Sequence, residues 1–489
     1  NSSGTVLSMD GGTMYINVLD ADNYTNFKVE ESDSDVVMNS GSIYVDTKTQ
    51  GAKLESGDQL TILQATAGNL KVDASKYTIY DDIAGKRFVI DDKSVSDGKV
   101  SLVLKNSRFA EVATTPNESN VGTYLDQWID SGSMSADVNN FINRLENGVE
   151  KDPALLNQLT GELRLSAFNA QVQSRNLIRQ TLTQNTLPQS TLGISPSMFS
   201  TLRGQTAERE DGLTGWLSAF ATFGNADSHK GTSGYDLGLL GGMVGVEVGS
   251  SATNQFGFYF SYGNIQLDAN NPMGKVKVND EQFGLYLRVS DDWGYTLATG
   301  SLGISDYDVT RSICVPDYSS LLYKGTAKGW SGSAYLERGF TFQLPAANLQ
   351  PFGGLQYTHL HSDSYKEHGY LRPLSIVAGD NDYNSLEGIL GVRWLKSTLV
   401  GARQFDVNAY TNWTHEFLDA SAHGAISLVG RNDGSIRVIG NSTGRDWIYA
   451  GLGGKLHMND AFTVFGGADV QVNQYTTYVN GHAGMTYTW

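Results

Sequence analysis

Residues 405–417 read Phe405-Asp406-Val407-Asn408-Ala409-Tyr410-Thr411-Asn412-Trp413-Thr414-His415-Glu416-Phe417. Phe405, Val407, Ala409, Trp413 and Phe417 fall on one side of an extended chain, and Asp406, Asn408, Asn412, Thr414 and Glu416 on the other. Side chains alternate in a strand, so this is a strand with one apolar and one polar face. The same dyad runs through most of 213–489. Phe256, Phe258, Phe260 and Tyr262 share a face, as do Phe283, Leu285, Leu287 and Val289. Val464, Gly466, Ala468, Val470 and Val472 oppose Thr463, Asp469, Gln471 and Asn473. A half-buried soluble sheet gives the same alternation. Length separates the two cases: these segments run ~10 residues or more, which suits tilted membrane strands better than the usual ~5–6-residue globular strand. About twelve such segments can be counted, an even number as single-chain bacterial barrels have. Short connections such as Ser290-Asp291-Asp292 and Met458-Asn459-Asp460 alternate with long polar ones at 224–234, 311–325, 362–384 and 419–445. A transmembrane barrel sorts its turns and loops in this way.

Composition agrees. The 489 residues carry a formal charge of −17, from 52 acids and 35 bases, which argues against nucleic acid as a partner. One cysteine excludes an intramolecular disulfide framework and a Cys-based zinc module. With 40% hydrophobic and 18% charged residues the chain is not of disordered composition. It has no run of 18 apolar residues, so no transmembrane helix is expected. Asn1-Ser2-Ser3-Gly4 lack the basic and apolar regions of a signal peptide. Seven of the eight tryptophans and all eight histidines lie after residue 212, so the chain is not uniform.

Upstream the grammar changes twice. Residues 1–115 hold short alternating strands, among them Thr13–Val18, Gln59–Leu63 and Lys99–Leu104, and fit a sandwich or the end of a β-solenoid. Residues 116–212 turn helical. Val121, Tyr124, Leu125 and Trp128, then Val138, Phe141, Ile142 and Leu145, recur at three- and four-residue spacing. Thr160–Gln184 has no proline and a single early glycine, and predicts a long helix. Its Arg164, Arg175 and Arg179 share a face, because eleven residues are close to three turns. A shorter candidate for a pore helix is Ser197–Ala207, within an unusually long stretch, 185–212, before the first strand.

Several segments in order carry a family resemblance. They are Tyr335-Leu336-Glu337-Arg338-Gly339-Phe340, Leu349–Tyr357, Ser385–Arg393, Trp413–Phe417 and the terminal Gly484-Met485-Thr486-Tyr487-Thr488-Trp489. Together they resemble the translocator domain of bacterial (type V) autotransporters, over nearly all of 213–489. Asn117–Leu125 and Leu155–Glu162 look like that family's helical connector, and 1–115 looks like the pertactin-type, autochaperone end of a passenger β-helix. The resemblance implies an all-β-dominated chain: a ~12-stranded transmembrane antiparallel barrel (213–489), a helical connector with a pore helix (116–212) and a passenger end (1–115). It implies an outer-membrane translocator that exports its own N-terminal passenger to the cell surface. The competing readings are an anchored surface adhesin or structural protein that is not released, and a porin with an N-terminal extension. Partners implied are outer-membrane lipid and, by resemblance, the barrel assembly machinery and periplasmic chaperones. The chain reads as a monomer without cofactor.

Candidate site residues follow from these faces. Val479, Gly481, Ala483, Met485, Tyr487 and Trp489 share the outer face of the last strand. They form a lipid-facing strand ending at an aromatic girdle, and the resemblance makes them the assembly signal. Asp406, Glu416, Asp469 and Gln471 are expected to face the lumen, either as solvated lining or against the Arg164/Arg175/Arg179 face. No catalytic or metal site is expected. His359 and His361 share a face, and His415 and Glu416 face opposite ways, but none comes with an evident serine. Cys314 sits in a polar loop. Asn139-Asn140 is a paired asparagine of the kind at which some autotransporters self-cleave, but its setting reads as helix surface.

Overall fold

A computed structural model describes residues 7–29, 35–47, 54, 57–65, 70–73, 76–81, 86–91, 94–95, 97–106, 108–149, 151–186, 213–248, 254–270, 273–316, 318–345, 347–401, 403–431 and 433–489. Twelve long strands form a closed antiparallel barrel. They are β1 (Thr214–Ala226), β2 (Tyr235–Glu247), β3 (Asn254–Ala269), β4 (Gly274–Asp291), β5 (Gly294–Ile313), β6 (Leu321–Phe340), β7 (Ala347–Ser362), β8 (Asn381–Val400), β9 (Arg403–Glu416), β10 (Asp446–His457), β11 (Phe462–Val472) and β12 (Thr476–Thr488). Each pairs with its neighbour in sequence, and β12 closes on β1 from Thr476↔Ala226 to Thr488↔Thr214. Closure leaves no barrel strand with an unpaired edge, which lipid demands.

The outer face is apolar between two aromatic belts. On β6 it runs from Trp330 through Leu336 to Phe340, all exposed. Ten residues at ~3.3 Å, tilted by ~40°, span ~25 Å, the height of an outer-membrane apolar band. Tyr262, Tyr357 and Trp413 lie in the upper belt, and Trp293, Tyr487 and Trp489 in the lower, all exposed. Arg338 breaks this face near the lower belt, where Asp291 pairs with it at 2.7 Å.

Two of the expected long loops are not irregular. Tyr365–Lys366, Ile376–Ala378, His423–Leu428 and Ile436–Ile439 pair into a small four-stranded sheet above the barrel. Its strands are short and join residues some fifty apart in sequence, so no local period betrays them.

The connector holds α1 (Pro116–Asp130), α2 (Ala136–Val149), a 3-10 turn (Pro153–Leu159) and α3 (Leu163–Thr186). Thr115 and Glu118 form a reciprocal capping box with Pro116 at the first helical position. A short helix, Phe109–Val112, precedes α1, and the Asp126 carboxylate caps it by accepting from the amides of Phe109 and Ala110 at 2.7 and 3.1 Å. The expected Thr160–Gln184 helix starts later, at Leu163. Gly161 has φ +60 and ends the 3-10 turn, so helix cannot run through it. Ser197–Ala207, the rival pore segment, lies outside the described residues.

Toward the N-terminus, Leu7–Asn17 pairs in parallel with Val36–Asp46, which pairs in parallel with Leu70–Val72 and Tyr77–Asp81. Tyr15 packs beside its register partner Tyr44, ring centroids 5.7 Å apart and planes tilted by 45°. Parallel coils in register form a solenoid pattern rather than a sandwich. An antiparallel sheet of Gln59–Gln64, Lys99–Asn106 and Lys86–Ile90 follows.

Candidate functional site: a helix in the lumen

Every residue of α3 is buried, although it carries three arginines, four glutamines and three asparagines. Its 24 residues at ~1.5 Å give ~36 Å, enough to traverse a ~30 Å hydrocarbon core. Leu163, Leu165, Phe168, Leu177, Ile178 and Leu182 join the apolar core, and the many polar groups between them, buried as well, need partners on the wall.

The central anchor is Arg175. It makes a bidentate pair with Asp280 of β4 at 2.6 and 3.0 Å, and also donates to Ser331 Oγ of β6 at 2.6 Å. Arg175 is 3% and Asp280 0% exposed at the side chain. Ser305 and Gln282 donate to the same carboxylate at 2.9 and 2.8 Å. Gln171, one turn earlier, donates to Ser305 Oγ at 2.9 Å and accepts from the Tyr307 hydroxyl at 2.6 Å. Below, Asn176 donates to Glu387 at 3.2 Å and accepts from Gln356 at 2.8 Å.

Both ends are held. Arg288 donates to the carbonyl of Thr186 at 2.7 Å and Lys455 to that of Asn185 at 2.5 Å. Two wall cations thus meet the carbonyls that a helix C-terminus leaves unpaired, where its dipole is negative. At the other end the Glu162 carboxylate accepts from the Ser233 amide at 2.6 Å and from the Asn117 side chain at 2.5 Å. Burial pushes this carboxyl up to about 7. Arg311 pairs with Glu367 at 2.5 Å and donates to the Gln158 carbonyl at 3.1 Å, which ties the 3-10 turn to β5.

The direct contacts of Arg164 and Arg179 are made with groups other than the inward acids Asp406, Glu416 and Asp469. Arg164 donates to Ser362 Oγ at 3.0 Å and lies over the Tyr365 ring, and Arg179 lies over the Tyr335 ring. Asp406 accepts from His457 at 2.8 Å, Glu416 from Ser385 at 2.6 Å and Asp469 from Asn480 at 2.7 Å. Each of these acids has a hydrogen-bond partner on the wall, and the ion pair to the helix comes from Asp280 instead. The alternation that puts Phe283 and Leu285 outward marks Asp280 as inward, but does not single it out from the other inward acids. Gln471 and Asp469 are buried. A small cavity of about 30 Å³ remains beside Arg179, between the helix and Glu337, Tyr335 and Arg393.

On β12, Val479, Ala483, Met485, Tyr487 and Trp489 are exposed on the outer face, with Gly481 half-buried among them. The Trp489 amide donates to the Leu213 carbonyl at 3.0 Å. His361 is bridged to Asp382 at 2.8 Å and lies beside the Trp330 ring. His415 is bridged to Asp446 at 2.8 Å. Asn139 and Asn140 lie in α2, outside the lumen helix.

The family model of the autotransporter beta-domain matches residues 215–469, just over half of the chain. An extracellular serine protease of Serratia marcescens is 23% identical over 343 residues, covering 68% of this chain and 30% of its own length. Outer membrane protein A of Rickettsia rickettsii is 26% identical over 187 residues, covering 36% of this chain and 8% of its own. The chain therefore spans less than a third of these relatives. Among solved structures, the translocator domain of the autotransporter NalP from Neisseria meningitidis superposes with a TM-score of 0.50 at 15% identity, covering 67% of this chain and 98% of that one. That likeness concerns the fold.

Proposed function

The chain belongs to the autotransporter family, and on that premise we propose that 213–489 is the translocator, 116–212 the connector that includes the pore helix, and 1–115 the end of the exported passenger. The barrel resides in the bacterial outer membrane. The observation that carries the reading is the path of the chain. Residues 109–159 lie at the long-loop end, α3 descends through the lumen, and Thr186 ends beside Arg288 and Lys455 near the short-turn end, where β1 begins. A chain that crosses once through a pore it also encloses has its N-terminal part on one side of the membrane and its barrel termini on the other. The translocator moves a chain and does no bond chemistry. Any enzymatic activity belongs to the passenger, and the serine protease's name describes that relative alone.

The face of Val479, Gly481, Ala483, Met485, Tyr487 and Trp489 is the proposed signal read by the barrel assembly machinery, after delivery by periplasmic chaperones. Its support is position: the strand that carries it, β12, closes the barrel on β1. A closed barrel needs no strand from a second copy, which supports a monomer.

The test is protease accessibility on intact cells of an epitope placed before Leu7. Cleavage of the epitope without loss of the folded barrel is expected. An epitope protected until the outer membrane is opened would refute the reading.

A further inference from the structure

The lid formed by the connector carries more contact with the barrel loops than a tether needs. The Asn117 side chain imitates a neighbouring strand: it donates to the Ile439 carbonyl at 2.9 Å and accepts from the Ile439 amide at 2.9 Å. Asn120 donates to the Arg437 carbonyl at 2.9 Å. Buried Arg431 donates to the Tyr124 carbonyl at 2.6 Å while its guanidinium lies over the Tyr124 ring, and the Tyr124 hydroxyl accepts from the Leu428 amide at 3.2 Å. Trp128, 1% exposed, packs where Gly430 has no side chain; a Cβ there would meet the indole at 2.7 Å. On α2, Phe141 meets the Tyr318 ring edge-on at 5.4 Å. The apolar core is continuous from these helices into the barrel.

We infer that α1, α2 and the loop sheet form a docking site that keeps the N-terminal segment on the cell surface without the covalent link through α3. The ligand is this chain's own connector, recognised by the edge of Ile436–Ile439, by Arg431 and by the Trp128 recess. The inference rests on the translocator reading, because it places this dock outside the cell. A buried apolar face tied by several direct hydrogen bonds holds like a permanent interface, whereas a tether would be wet and exposed.

The experiment uses the full chain in outer membranes, with the recognition site of a sequence-specific protease inserted between Lys151 and Asp152, both exposed. Protease is added to intact cells. The expected result is that the cut N-terminal fragment sediments with the cells and leaves on mild urea treatment, while the barrel stays heat-modifiable. Asn117→Ala with Arg431→Ala, or Gly430→Val, should lose the fragment to the medium on cutting, with the barrel still folded. Immediate release of the cut fragment from the otherwise unaltered chain would overturn the dock and leave the translocator reading standing. A site reached only after the outer membrane is opened would overturn both.

Discussion

Asp280→Asn isolates the anchor of the lumen helix. The substitution preserves shape and removes one charge from a pair whose side chains are 3% and 0% exposed. Arg175 would keep Ser331 Oγ at 2.6 Å but lose its counter-charge. Breaking one side of a buried pair costs about 3–5 kcal/mol, because the remaining charge is left uncompensated. The helix can relieve that cost only by leaving its seat, so the ratio of unseated to seated helix should rise by about 10²–10⁴. Replacing both partners by neutral groups should be far milder, since a neutral pair of similar volume is often nearly isoenergetic. Asp280→Asn with Arg175→Gln is therefore the control, and the coupling between the two changes is the measured quantity. Purified protein in planar bilayers gives the fraction of time each variant conducts. Long open periods are expected for Asp280→Asn, with the double variant closer to the unaltered chain. A single variant as closed as the unaltered chain, or a double variant as open as the single, would refute the anchor.

Three further outcomes are expected. Ser174→Cys with Gly263→Cys, in a Cys314→Ser background, should crosslink under mild oxidation, since a Cβ at Gly263 would lie 3.7 Å from the Ser174 Oγ; absence of a crosslink in the folded barrel would place α3 elsewhere. The Glu162 carboxyl lies at about 7, against an ordinary 4.5. The docked state thus binds its proton more tightly than the undocked one, so its stabilisation is full below pH 4.5 and declines up to about 7. The unfolding midpoint in detergent should fall from pH 5 to pH 8, by up to about 3 kcal/mol in stability, and Glu162→Ala should shrink that difference; an equal difference in the variant would count against this assignment. Trp489→Ala should lower outer-membrane levels more than Trp293→Ala, although both indoles sit exposed in the lower belt; equal levels would leave Trp489 a girdle residue only.

The barrel was legible because one force writes it. Lipid on one side and water on the other impose a two-residue period, and Phe405–Phe417 shows it without help from the rest of the chain. The lumen helix was legible by its length and lack of proline, though not by amphipathicity, since all its faces are buried. Its start was misread because the φ of Gly161 is a property of the folded turn. The ion pairs were not legible. The dyad marks Asp280, Glu337, Glu387, Asp406 and Asp469 alike as inward, and only the helix's height and rotation select Asp280 for Arg175. The loop sheet and the Asn117–Ile439 pairing depend on distant segments, and no local pattern encodes them.

A helix held by point contacts on every side behaves like a bolt in a keyed slot. Moving it along the pore by one residue advances it ~1.5 Å and requires a turn of ~100° to put side chains back in phase. Such a turn takes Arg175 away from Asp280, Gln171 from Tyr307 and Asn176 from Gln356 together, while Arg288 and Lys455 lose the carbonyls of Thr186 and Asn185. Small displacements therefore have no intermediate resting place. Any current through this barrel should step between discrete levels and not drift, and under the proposed translocator function the seating of the helix is a latch closing once.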